Sequence, residues 1–94
     1  MEIKHVELSR KGAFIVKGDH GRLAEMTYVA AGDDAFIIDH TFVDESLRGQ
    51  KVGNKLVEAA VEYARQKHLK IYATCPFALK VLTNTPEYHD VFQP

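Results

Sequence analysis

Three features of the chain could do chemistry: a glycine-bearing loop, a lone cysteine and one histidine inside an apolar run. The loop is Arg48-Gly49-Gln50-Lys51-Val52-Gly53, between an extended run ending at Val43 and a long amphipathic pattern. Its glycines let backbone N–H groups come close to a bound group with no side chain in the way. The first N–H groups of the helix that follows have no internal partners and suit an anion, a phosphate above all. Arg48 and Lys51 fit that reading, because cations at a helix start oppose its dipole unless an anion is present. The spacing matches neither the P-loop nor the GxGxxG dinucleotide fingerprint. Cys75 precedes Pro76, which biases it toward an extended conformation at the start of a short helix. A helix start favours a thiolate, so Cys75 reads either as a nucleophile or as a small inert core residue. His40 belongs to the run ending at Val43 and reads either as a general base or as a half-buried, hydrogen-bonded sheet residue.

Strands and helices must hold these groups in place. Turn signals at Arg10-Lys11-Gly12, Lys17 to Gly21 and Ala31 to Asp34 separate runs rich in β-branched and aromatic residues, predicting antiparallel strands near 2–9, 13–17, 22–30 and 35–43. The fourth run is apolar on both faces at first, as a central strand is. Alternation puts Asp39 and His40 on opposite faces of it, which argues against a Cys-His-Asp triad through Asp39. From Gly53 to about His68, Leu56, Val57, Ala60, Val61 and Ala64 recur at helical spacing. Lys70 to Thr74 then reads as a fifth strand, parallel to the fourth through a right-handed crossover. Pro76 starts a short helix to about Leu82, Asn84 acts as its stop, and the tail around Pro86 is a coil or short turn.

Ninety-four residues, 46% hydrophobic and 27% charged, allow one domain over residues 1–94 with one modest core. Twelve basic against 13 acidic residues offer no general surface for nucleic acid or anionic membrane. One cysteine forms no internal disulfide, and no apolar run is long enough for a leader or a membrane span, so the expected compartment is the cytoplasm. One cysteine and scattered histidines give no zinc-type ligand spacing. His5, His20, His68 and His89 fall near turns or ends and read as surface residues.

The segment Arg48-Gly49-Gln50-Lys51-Val52-Gly53 resembles the coenzyme A pyrophosphate loop of the GNAT acetyltransferases, with Lys51 where the middle glycine is usual. Cys75-Pro76-Phe77-Ala78 and Pro86-Glu87-Tyr88 extend the resemblance to a small GNAT-like subfamily of about this length, over the chain from Leu23 to Tyr88. The resemblance implies a truncated GNAT acyl-CoA N-acyltransferase fold of the α/β (α+β) class, in which antiparallel strands lead into a strand-helix-strand unit and a short helix. It also implies acetyl-CoA as co-substrate and an amine as acceptor. The pyrophosphate then lies on the amides of Gly49 to Gly53, including Gln50 and Val52, and the pantetheine arm pairs with the backbone at Phe42 and Val43. Cys75 and His40 become the candidate catalytic residues, Cys75 as an acetyl carrier or a neighbour of the cofactor thiol. The helices usual between the first two strands are missing, so one sheet face and the acceptor side are expected to be open. The tyrosine that often protonates the departing thiolate in the family comes from a region missing here, and the sequence assigns no residue to that role. An N-acetyltransferase is the first reading; a coenzyme A or acyl-CoA binding module without turnover is the second.

Overall fold

The first 43 residues form four antiparallel strands in the computed structural model, which describes residues 1–94: β1 (Lys4–Glu7), β2 (Lys11–Gly18), β3 (Gly21–Ala30) and β4 (Ala35–Val43). A 3-10 turn at Glu45–Leu47 leads into α1 (Val52–Lys67), β5 (Lys70–Ala73) and α2 (Pro76–Asn84). The sheet order is β1-β2-β3-β4-β5, and β5 pairs with β4 in parallel, as a strand-helix-strand crossover requires. Each predicted element is present, with ends shifted by a few residues, and α2 runs two residues past Leu82. Thr85 follows as its cap, and its hydroxyl donates to the Val81 carbonyl at 2.7 Å.

Both helices pack on one face of the sheet. Phe14, Val16, Met26, Tyr28, Phe36 and Ile38 meet Leu56, Val57, Ala60, Val61 and Ala64 of α1 and Ala78 and Leu82 of α2 in a single buried cluster. Burying each large aliphatic side chain there contributes about 1.5–3 kcal/mol. The other face carries Ala13, Ile15, Glu25 and Thr27, and neither helix covers it. Ile15 is buried there all the same, flanked across the strands by Lys4 and Glu25, whose aliphatic stems can lie over it.

One irregularity in β4 changes what the sequence pattern predicts. Tyr28 pairs with Ile38 and Thr27 with His40, so Asp39 is an extra residue in a β-bulge. Strict alternation fails at that point. The Thr27 hydroxyl donates to Asp39 Oδ1 at 2.6 Å, and His40 Nε2 lies 3.8 Å from Glu25 Oε2. Thr27 and Glu25 share the uncovered face, and therefore so do Asp39 and His40. The expectation that they point to opposite faces is wrong because the bulge resets the parity of the strand.

Two histidines read as surface residues have structural partners. The His5 ring stacks on Phe14 with centroids 4.3 Å apart, and its Nε2 is 2.6 Å from the Tyr28 hydroxyl. His89 Nε2 lies 3.0 Å from the Leu82 carbonyl and 3.2 Å from that of Thr83, at the end of α2 where helical carbonyls lack partners. Beyond a second 3-10 turn at Pro86–Tyr88, the tail returns to the sheet and Phe92 bridges Ile71. Tyr88 packs against the core. No helix is long and apolar enough to cross a membrane.

Candidate active site

The parallel pair stays together for four residues and then forks. β4 and β5 are paired from Ala35 with Lys70 to Ile38 with Ala73. At the fork, the amides of Thr74 (3.0 Å) and Cys75 (3.2 Å) both donate to the Ile38 carbonyl. Beyond it, residues 39–43 pair with β3 on one side only, leaving a free backbone edge toward the gap. Phe42 and Val43 lie on that edge. The Phe42 side chain projects from the uncovered face and is 43% exposed, whereas Val43 packs toward the core.

The throat of the fork holds Cys75. It precedes Pro76, the first residue of α2, and its side chain is buried. The Thr41 hydroxyl is 3.3 Å from its Sγ, which joins the two arms of the fork. Thr41 was not singled out from sequence, because a threonine in a strand reads as an ordinary strand former. Parity within β4 was the one available signal, and the bulge obscures it. His40 lies one residue away but on the uncovered face, so the structure brings Thr41 and Cys75 together and leaves His40 on the other side of the sheet.

The free edge of β4 leads to the loop. Asp44 caps the 3-10 turn, its carboxylate accepting from the Ser46 amide at 3.0 Å and the Ser46 hydroxyl at 2.7 Å. These bonds hold the Asp44 carboxyl below the usual carboxylate range. Gly49 has φ +84° and Lys51 φ +56°, both in the left-handed region. Lys51 is the N-cap of α1 and makes no side-chain capping bond. The amides of Gly49, Lys51, Val52, Gly53 and Asn54 have no acceptor within the protein. Five unpaired donors around one helix start form a concave array suited to an anion. The Val52 side chain lies in the core, so its contribution is its amide.

An open groove of about 370 Å³ runs between these parts, lined by Thr41, Val43, Arg48, Lys51, Gly53 and Phe77 among others. Arg48 is largely exposed and 3.6 Å from Glu45, and Gln50 does not line the groove. Gly53 has a role beyond giving the loop room. A Cβ there would lie 2.6 Å from Cζ of Phe77, so its missing side chain lets the ring form the groove wall. In the sequence Phe77 stands out only as part of the segment Cys75-Pro76-Phe77-Ala78. No group of three or more His, Cys, Asp or Glu side chains converges anywhere in the fold.

A mixed sheet forked between its parallel strands, with an amide-lined loop at the open end, is an N-acyltransferase fold. Residues 13–91 match the model of the GCN5-related N-acetyl-transferase family; the chain belongs to that family and is an acetyltransferase. It is similar to a GCN5-like protein from Staphylococcus aureus solved by NMR, with 41% identity and a TM-score of 0.77, over 98% of this chain and 87% of that one. A curated relative, Protein NATD1 of Danio rerio, is 26% identical over 92% of this chain and 77% of its own length. The fold also matches an aminoglycoside N-acetyltransferase in complex with CoA, at 17% identity and a TM-score of 0.55, over 81% of this chain and 66% of that one.

Proposed function

We propose that the chain transfers the acetyl group of acetyl-CoA to an amine at the fork between β4 and β5. The observation that carries this is the continuity of three features: the unpaired edge of residues 39–43, the five unpaired amides of the loop and the thiol at the throat. Acetyl-CoA supplies an acetyl group activated as a thioester. The amides of Gly49, Lys51, Val52 and Gly53 hold its pyrophosphate, helped by the cationic side chains of Arg48 and Lys51 and flanked by Gln50. The edge at Phe42 and Val43 pairs with the amide-bearing pantetheine arm. The groove of about 370 Å³ lies beside this edge, and Arg48, Lys51 and Asn54 line it at the loop.

At the throat, Cys75 acts as the acetyl carrier. Its Sγ forms a bond to the acetyl carbon as the coenzyme's C–S bond breaks, and the departing thiolate takes the proton that the Cys75 thiol gives up. The amine nitrogen then bonds to the same carbon and Sγ leaves. The amine enters the fork from the uncovered face, where His40 takes the proton that it loses. Transfer straight to the amine is the variant of this scheme that the test separates. A free thiol in the site fits a reducing compartment such as the cytoplasm.

The bare sheet face favours a second reading, a CoA or acyl-CoA binding module without turnover, because no element on that side encloses an acceptor. Intact-protein mass spectrometry after incubation with acetyl-CoA, with calorimetric binding in parallel, decides among these. An added acetyl group on the native chain, absent in Cys75→Ala and discharged by an amine, supports the covalent route. Product without adduct supports direct transfer, and binding without product supports the module. Absence of binding overturns the reading.

A further inference from the structure

The uncovered sheet face holds a shallow groove of about 380 Å³ that begins at Asp39, one residue past the fork, and crosses β3 and β2 to β1. Its volume is within the range of small-molecule sites. Val6, Leu8, Ala13 and Val29 supply apolar walls, and Thr27 and Asp39 the polar end nearest the fork. The Asp39 carboxylate has one partner, the neutral Thr27 hydroxyl, and no ion pair, whereas Glu25 beside it is shared with Arg22 at 3.3 Å and His40 at 3.8 Å. The negative charge at this end of the groove is therefore not balanced by the protein. Two bases also line the groove. Arg22 is held at Glu25, and Lys11 stands opposite Val29 on β2, two strands from Asp39.

We infer that the acceptor lies across this bare face with a primary ammonium on Asp39 and an apolar stem over Ala13 and Val29, so that Asp39 determines specificity for cationic amines. The inference rests on the acetyl-transfer reading above and assigns its acceptor side. The bulge is what makes it workable, since it turns Asp39 to the same face as His40. An ammonium cannot attack a carbonyl. One N–H proton passes to His40, the freed electron pair forms the N–C bond, and as the C–S bond breaks the sulfur leaves with that bonding pair and takes up the second N–H proton, which leaves a neutral amide. His40 then returns its proton to solvent. Two sources share this chemistry, a free alkylamine and a lysine side chain.

The test compares native chain and Asp39→Asn, which keeps the shape and the bond from Thr27. Acceptors are phenethylamine and a short lysine-containing peptide, both cationic at neutral pH, and benzohydrazide, which is uncharged. The expected result is a KM for the cationic acceptors about two- to fivefold higher in Asp39→Asn with kcat retained, as for an exposed charge pair. Benzohydrazide turnover and acetyl-CoA affinity are expected to be unchanged. Whichever cationic acceptor responds identifies the source. An equal loss with charged and uncharged acceptors, no change with either, or native turnover of benzohydrazide alone overturns the assignment while leaving acetyl transfer standing. Failure of the native chain to acetylate any acceptor overturns both.

Discussion

Cζ of Phe77 on α2 stands 2.6 Å from the point where a Cβ on Gly53 of α1 would be. The contact fixes one wall of the groove that leads from the fork to the loop. Phe77 is 38% exposed and its ring tip can swing outward, so a methyl at residue 53 displaces the wall more readily than the helices. Gly53→Ala is expected to destabilise the fold by about 1 kcal/mol and to weaken CoA binding. The double variant Gly53→Ala, Phe77→Ala should recover most of the stability without the affinity. A denaturant series combined with calorimetry measures both, and simple additivity of the two substitutions counts against the contact.

Lys51 occupies a backbone conformation that glycine adopts freely and that costs other residues about 1–2 kcal/mol. Glycine is usual at this position in the loop that the segment resembles, and φ +56° gives the physical reason. Lys51→Gly is expected to leave stability unchanged or raise it by less than about 1 kcal/mol, since relief of strain is offset by the greater freedom of the unfolded chain. Lys51→Val should destabilise, because a β-branched residue tolerates this region poorly. If the side chain adds charge at the anion site, Lys51→Gly also weakens CoA binding and reduces its dependence on salt. Equal stability of the glycine and valine variants would show that the loop relaxes away from the left-handed conformation.

Much of this architecture was legible from apolar periodicity and turn residues. Leu56, Val57, Ala60, Val61 and Ala64 announce α1 and all become core, and Pro76 marks the start of α2. Features that depend on what lies across a strand or between helices were not legible. The bulge at Asp39 arises from pairing with β3, and no local signal in β4 reports it. His5 looks like a terminal polar residue until its ring is seen stacked on Phe14. Gly53 looks like a loop glycine until Phe77 packs on it. The candidate site divides in the same way: the loop and Cys75 follow from local chemistry, whereas Thr41 and the shared face of Asp39 and His40 needed the tertiary fold.

His5 gives the fold a dependence on pH in the mildly acidic range. Burial against Phe14, Tyr28 and Tyr63 lowers its pKa from the ordinary 6.5, and the nearby Glu7 opposes this more weakly. The unfolded chain takes up a proton near 6.5 while the folded chain resists until lower pH. The unfolded state thus binds more protons in that window, and stability falls as pH drops from about 7 through the unfolded value toward the lowered folded one. His5→Phe keeps the ring on Phe14 and removes the titration. Thermal unfolding from pH 7.5 to 5.5 should show a declining Tm in the native chain and a flatter profile in the variant. A parallel decline in both would assign the effect to other groups.

The 3.3 Å contact between the Thr41 hydroxyl and Cys75 Sγ allows either atom to donate, but a thiolate can only accept. In the reactive form, therefore, Thr41 donates to the sulfur. Thr41→Val preserves the branched shape and deletes the donor. Because a hydrogen bond to a thiol is weak, the change in stability should stay below about 1 kcal/mol. Alkylation of Cys75 by iodoacetamide at neutral pH should slow several-fold, and Thr41→Ser should restore it. If acetyl transfer passes through Cys75, acetyl adduct formation slows in step with alkylation. An alkylation rate unmoved by Thr41→Val would reduce Thr41 to a packing role, and adduct formation unaffected by slowed alkylation would show that the acetyl group does not pass through Cys75.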